Sequence, residues 1–354
     1  MSELRLSASL YQRFLICPKS AAYSISNETK NLNKPSLGAA LGLISHSLIE
    51  NSVRIPTEWT TEQIEEWFEN SWEQFVEEQR TKLEKEWSPN KVPKPQSWPG
   101  FFATRASAKT LVLKNSGLLP PKYPLQSGVI KKSTLDEFEF PLVEKYLESS
   151  DLGIFGKPDY VFLEDGKVVI YDYKFGRNQE DLDKHKFQML FYQLLVESVL
   201  NVEVGKLAIV ASANRLWEIA TDRQELENLR NDIPRVLDAI KSNNVAAIPT
   251  SNNCRFCPFK IVCKPFKKAK IDLYPNRPMA ISGEIFAIRK IDDDFQELTI
   301  KPELASEGES FRVFGIPNGY PLRVGESVFL TDNLEFLDDK IIGFAWNSRI
   351  SLQG

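Results

Sequence analysis

The sequence has no apolar run long enough to cross a bilayer as a helix, so a helical membrane protein is not expected. Its opening residues, MSELRLSASLYQRF, lack the uninterrupted apolar core of a signal peptide, and a cytoplasmic location is expected. No GxxxxGK phosphate loop is present, so nothing points to a nucleotide-driven motor within the chain. Internal repeats and low-complexity tracts are absent. Positive charge is not in excess. The 44 Lys and Arg stand against 48 Asp and Glu, a net charge of −4, so any surface for nucleic acid must be local. Cysteine is scarce, with four in 354 residues. What remains is a chain with 42% apolar residues, enough for two packed domains.

The stretch around which the chain is organised runs from Gly153 to Tyr192. Two runs rich in β-branched and aromatic residues, 153–164 and 167–175, flank Asp165-Gly166. An Asp-Gly pair between such runs predicts a hairpin, because a two-residue type I′ turn needs positive φ at both positions. Partners across that turn have position numbers with a constant sum, which sets Asp159 opposite Asp172 at roughly 5 Å between Cβ atoms. Lys174 points to the same face as Asp172. Strand residues of both parities are apolar, so the hairpin is expected to be buried on both faces, and buried acids need partners. Two carboxylates with a Lys suit a hard divalent ion, Mg²⁺ or Mn²⁺. Such an ion polarises a phosphoryl oxygen and generates hydroxide, while the Lys orients the nucleophile or neutralises developing charge. The plainer reading is an exposed hairpin with solvated acids.

Gly156-Lys157-Pro158-Asp159, then Asp172-Tyr173-Lys174, then Gln188-x-x-x-Tyr192 resembles the PD-(D/E)XK nuclease core in its RecB-like form. The resemblance implies that Asp159 and Asp172 bind metal and that Lys174 is catalytic. It also implies that Gln188 and Tyr192, one turn apart on the helix after the strand, contribute to the site and to DNA binding. The Tyr173 backbone carbonyl is a further expected metal ligand. Gly38, Gly42 and His46 lie on one face of a helix over 36–53, with Ser36 as N-cap. A lone helical His is more often core or surface than ligand. The Gly-x-x-x-His form is similar to the family's first motif, which makes His46 a metal ligand. The glycines predict that this face presses close against another element.

The fold class expected is α/β, a restriction-endonuclease-like PD-(D/E)XK core with a helical insertion over about 57–115, occupying residues 1–270. An amphipathic helix is predicted over 5–25, capped by Ser7 or Ser9. The first core strand is expected over 134–143, and one of Glu137, Glu139 and Glu144 is expected to supply an additional acid. Lys122, Lys131 and Lys132 are possible phosphate contacts. A helix over 221–243 is expected to be interrupted near Pro234.

All four cysteines fall into one pattern, Cys17 and then Cys254-x₂-Cys257-x₅-Cys263. Clustered cysteines in a cytosolic chain suggest metal rather than disulfide. Zinc and a 4Fe–4S cluster both accept four thiolates, and the spacing does not choose between them. The resemblance favours iron, because RecB-like nucleases of the CRISPR-adaptation and AddB types place one cysteine before the core and three after it. The group would then staple the N-terminal helix to the end of the core. The basic run holding Lys264, Lys267 and Lys268 is the clearest in the chain, and its place beside the cluster suggests a DNA contact.

Residues 277–354 read as a separate small domain of five or six short alternating strands, a β-barrel of OB-like or SH3-like form. Acids outnumber bases there, which favours a protein partner or a lid role over phosphate binding. The first expectation for function is a metal-dependent DNA nuclease, an exonuclease preferring single strands or DNA ends. The alternatives are a non-catalytic nucleic-acid-binding or adaptor protein with a structural zinc, and an RNA nuclease.

Overall fold

The computed structural model describes residues 4–115, 138, 140–174, 182–212, 215–269, 280–302, 310–338 and 341–353. Lys122, Lys131, Lys132, Glu137, Glu139 and half of the expected strand over 134–143 lie outside the described residues. The helices in the first third are α1 (Ala8–Ile16), α2 (Pro18–Ile25), α3 (Leu37–Ser52), α4 (Thr61–Trp87) and α5 (Phe101–Asn115). Short strands follow: β1 (Leu142–Val143), β2 (Leu147–Ser149) and β3 (Ile154–Gly156). The centre holds β4 (Tyr160–Glu164), β5 (Lys167–Tyr173), α6 (Leu182–Leu200), β6 (Val204–Ser212), β7 (Arg215–Glu218) and α7 (Arg223–Ser242). Two short helices, α8 (Ser251–Arg255) and α9 (Lys264–Ala269), precede seven strands. These are β8 (Ala280–Lys290), β9 (Phe295–Pro302), β10 (Phe311–Pro317), β11 (Ser327–Thr331), β12 (Leu334–Asp338), β13 (Ile341–Phe344) and β14 (Arg349–Gln353).

By compactness the chain divides into two units, which cut differently from the sequence expectation of 1–270 and 277–354. The first unit is Met1–Gln12, Pro35–Gln79 and Lys94–Asn244. Its centre is a five-stranded sheet in the order β1-β4-β5-β6-β7, with β5 and β6 parallel and the other neighbours antiparallel. The hairpin forms as its turn dictates. Asp165 and Gly166 both have positive φ, 50° and 75°. Every β4–β5 pair, from Tyr160 with Tyr171 to Glu164 with Lys167, keeps the predicted register. After its first residue β5 is buried throughout, on both faces. Helix α6 covers the sheet with Leu190, Phe191, Leu194 and Leu195.

Helix α7 is amphipathic and capped at Asp222 by a capping box with Glu225. It runs unbroken through Pro234, against expectation. Leu229, Ile233, Val236, Leu237 and Ile240 are buried around the proline, and that burial offsets one lost backbone hydrogen bond. Ser36 caps α3 through the Ala39 amide as predicted. The face of α3 that packs carries Leu37, Leu41, Ile44 and Leu48. Among the described residues neither glycine presses against another element, although His46 of the same face reaches Glu144. A Cβ on Gly42 would meet nothing within 4 Å among the described residues, and one on Gly38 only Ser36 Oγ. In α4, Ile64, Phe68, Trp72 and Val76 form the buried line. Arg105 and Lys109 of α5 pair with Glu65 and Glu69 of α4.

The second unit is Arg13–Lys34, Arg80–Pro93 and Val245–Gly354. The expected single helix over 5–25 is two helices. Cys17 is extended (φ −156°, ψ 102°) and Pro18 opens α2, because the residue before a proline avoids the helical region. The C-terminal strands form one seven-stranded sheet, order β12-β13-β10-β9-β8-β11-β14. This open order corrects the barrel expectation: among the described residues no pairing joins β12 to β14. Alternation identified the strands but carries no information on closure. The core of this sheet includes Ile285, Leu298, Ile300, Val313, Ile316 and Leu330. A second apolar group joins Cys254, Ile261 and Phe266 to Phe329 of β11. The cysteine segment and the C-terminal sheet therefore share packing. No described helix is long and apolar enough to cross a membrane.

Candidate metal and nuclease site

Three elements of the first unit deliver the site: α3, the β4–β5 hairpin with its flanks, and α6. Asp159 immediately precedes β4. Its Oδ2 accepts the Tyr173 amide at 2.6 Å, so the carboxylate reaches across the hairpin to the strand that carries Asp172. Asp159 and Asp172 are both buried, at 5% and 1% exposure. Lys174 Nζ lies 2.5 Å from Asp172 Oδ2 and 3.3 Å from Gln188 Oε1. The Gln188 amide donates to Asp172 Oδ1 and meets the Tyr192 hydroxyl, both at 3.1 Å. One turn of α6 therefore presents Gln188 and Tyr192 together, as their spacing predicts.

Gly156 has a steric reason to be glycine. A Cβ there would come within 3.0 Å of Leu195 and 3.1 Å of the Tyr192 ring. The strand before Asp159 thus approaches the helix that carries Gln188 as closely as backbone allows.

His46 projects from α3 toward the acids. Its Nδ1 is 2.6 Å from Glu144 Oε1 and 3.5 Å from Asp159 Oδ1. His46, Glu144 and Asp159 each offer one ligand atom, all within 4.8 Å of one another. Among the described residues this is the one group of three metal-capable side chains so close together. Asp172 stands beside it, engaged by Lys174 and Gln188. Of the three candidate acids, Glu144 is the one that lies among the described residues. It sits just after β1 with φ at 48°, and its amide donates to the Asp159 carbonyl at 2.9 Å. No sequence signal marks this, since a left-handed Glu is uncommon. Lys157 also went unassigned from sequence. Its ammonium lies 3.3 Å from Glu144 and 3.5 Å from Glu50.

The electrostatics have a single theme. Burial raises the Asp159 carboxyl to about 8, and the Asp172 charge adds to it. Burial pulls the His46 imidazole down, but the Glu144 hydrogen bond and the nearby carboxylates outweigh it and hold it above its ordinary value. Glu144 is held below the usual range by His46 and Lys157 despite its burial. Burial also raises the Tyr192 hydroxyl. His46, Lys157 and Lys174 thus stand among the acids as their basic partners. A hard divalent ion fits this donor set of buried carboxylates and one imidazole.

The remaining candidates lie in the second unit. Cys17, Cys254, Cys257 and Cys263 all line one cavity, together with Lys19, Tyr23, Ile248, Phe259 and Phe266. The Ile248 amide points at Cys17 Sγ, 3.5 Å away, and Cys257 Sγ is 3.7 Å from Ser20 Oγ. The sulfurs are not drawn into a tight ligand group. Burial and the neighbouring thiols raise Cys254 to about 11. Lys264, Lys267 and Lys268 are exposed on α9, and Lys267 lies over the Phe329 ring at 4.5 Å.

The sequence model of the PD-(D/E)XK nuclease superfamily matches residues 5–264, well over half of the chain. No curated protein sequence matches it. Nucleases of this superfamily use Mg²⁺ or Mn²⁺, and DNA is the substrate that the family implies. The order of His46, Glu144, Asp159, Asp172 and Lys174 falls wholly inside the matched span, and the chain belongs to the PD-(D/E)XK nuclease superfamily.

Proposed function

We propose that the protein is a RecB-like, divalent-metal-dependent exonuclease acting in the cytoplasm on single-stranded DNA or DNA ends. The observation that carries this is the gathering of His46, Glu144 and Asp159 beside the Asp172–Lys174–Gln188 array. A divalent ion held by His46, Glu144 and Asp159, with Asp172 and the Tyr173 carbonyl as further ligands, would polarise the scissile phosphate and lower the pKa of a bound water. Lys174 then has two neighbours that fix its ammonium, Asp172 and Gln188, and it neutralises charge developing on the phosphate. Gln188 and Tyr192 position the strand. Lys264, Lys267 and Lys268 contact phosphates, and the acidic C-terminal strands meet a protein partner. The test is cleavage of end-labelled single- and double-stranded DNA with Mn²⁺ or Mg²⁺. Asp159→Ala, Asp172→Ala and Lys174→Ala should each reduce the rate at least about a hundredfold with the fold retained. Full activity in any of them sinks the site. Release of mononucleotides from a free end supports the exonuclease assignment.

The reading extends to a 4Fe–4S cluster on Cys17, Cys254, Cys257 and Cys263. One observation supports it: all four thiols line one cavity. The expected result is brown protein from anaerobic preparation with about four irons per chain. Colourless protein with one zinc removes the cluster and leaves the nuclease assignment standing.

A further inference from the structure

The segments that bring the cysteines together have a charge unlike the rest of the chain. Residues 13–34 and 245–269 hold nine Lys and Arg and a single acid, Glu28, in a protein of net charge −4. Between Cys254 and Cys257 stands Phe256, 81% exposed. A phenyl ring left in water is unfavourable, and this one is not on a loose tip. Thr250 caps α8 by accepting the Asn253 amide at 3.1 Å, and the Cys257 amide donates to the Cys254 carbonyl at 3.2 Å. The Asn253 side chain donates to the carbonyls of Ile16 and Ile248, both at 3.1 Å, which ties the two segments together. The turn thus presents the ring outward. The Arg255 guanidinium lies over the ring, 4.9 Å from its centroid, so a cation covers one face and the opposite face is left for a second flat group.

A flat apolar ring paired with a guanidinium, on a segment with no acid between residues 245 and 269, matches one nucleotide: a base for the ring and a phosphate for the cation. In a duplex the base faces are hidden by stacking, so the base must be unpaired. We propose that Phe256 and Arg255 form a stacking site for an unpaired base of single-stranded DNA, with Lys264 and Lys268 of the same surface segment taking flanking phosphates. The choice of DNA over another polyanion rests on the nuclease reading; the stacking geometry does not.

The test uses the full chain, with EDTA to prevent cleavage, and follows the anisotropy of a labelled 20-nucleotide oligothymidine and of a blunt duplex of equal length. Phe256→Ala and Phe256→Leu should each weaken single-strand binding roughly 5- to 100-fold, and Phe256→Trp should retain it. Duplex binding should be unchanged in all three. Because the ring is exposed, thermal stability should match the parent, and retention in the Trp variant guards against a folding artefact. Equal single-strand affinity in the Ala variant overturns the proposal, as does an equal loss on duplex or full retention in the Leu variant. A partner protein as the true occupant would give the first of these. Cleavage with Mn²⁺ is measured separately on the parent chain. An inert parent whose binding still depends on Phe256 removes the nuclease reading alone. A cleaving parent indifferent to Phe256 removes the stacking site alone.

Discussion

Asp159 bears the largest electrostatic cost in the site. Its carboxyl, raised to about 8 by burial and by Asp172, holds in the folded state a proton that the unfolded chain loses near pH 4. Between those values the native state binds more protons than the unfolded state, so metal-free stability falls as pH rises from about 4 to 8. His46, raised above its ordinary value, adds stability at low pH that is also lost as pH rises. Asp159→Asn should therefore flatten this slope and raise the metal-free melting temperature at pH 8, by about 2–4 °C per kcal/mol relieved. Thermal unfolding in EDTA at pH 5 and pH 8 checks it; an unchanged slope would mean that Asp159 is ionised and compensated. Mn²⁺ should raise the melting temperature of the parent more at pH 8 than at pH 5. At this scale the sequence was legible where chemistry follows spacing. Asp159, Asp172, Lys174, Gln188 and Tyr192 meet because a two-residue turn fixes a register and a helix repeats every turn. Glu144 was legible only as one of three candidate acids, because its placement depends on a left-handed residue that no propensity foretells.

The element that fixes the site's shape is the close approach of β3 to α6. Gly156→Ala would drive a methyl group into Leu195 and Tyr192, at 3.0 and 3.1 Å. The helix must shift or the Tyr192 ring must turn, and Gln188 moves with either. The expected outcome is a loss of cleavage rate of about tenfold to a hundredfold, larger than the stability change alone would give, because small misplacements near a reacting centre are costly. Single-turnover rates compared with melting temperatures separate the two. Unaltered cleavage would show that the contact is slack. Element identity was largely readable: the α3 cap, the hairpin turn and the stripe on α7 are all local signals. Three readings failed for reasons of tertiary origin. Pro234 stays inside α7 because apolar burial on both sides of it holds the helix. Gly38 and Gly42 face away from the packed side of α3. The C-terminal strands pair into an open sheet, since the order of strands is set by long-range contacts.

In the second unit, charge is managed by burial in pairs. Lys260, between two of the cysteines, is 2% exposed, and its ammonium meets Asp332 at 2.6 Å and the Arg255 carbonyl at 3.0 Å. Arg349 of the last strand lies 3.4 Å from Asp332 and donates to the carbonyls of Leu32 and Pro258. Asp332→Ala would leave both cations without their acid, at a cost of about 3–5 kcal/mol. The four thiols should then react faster with a thiol reagent, and a cluster, where present, should be lost sooner. Labelling kinetics unchanged by Asp332→Ala would show that the cysteine segment holds itself. Sequence reading saw a cysteine site and a separate small domain here. It missed their union because ion pairs across 72 residues, as from Lys260 to Asp332, leave no local trace.

The Arg349 contact also sets a clock. Its partner carbonyl on Leu32 lies 317 residues earlier in the chain. At roughly 5–20 residues per second of synthesis, the ribosome needs about 15–60 s to deliver the arginine after the leucine has been made. Throughout that interval the Leu32 and Pro258 carbonyls lack the arginine that later joins them. The brace across the cysteine segment is in this sense a late addition, made only once β14 has been synthesised.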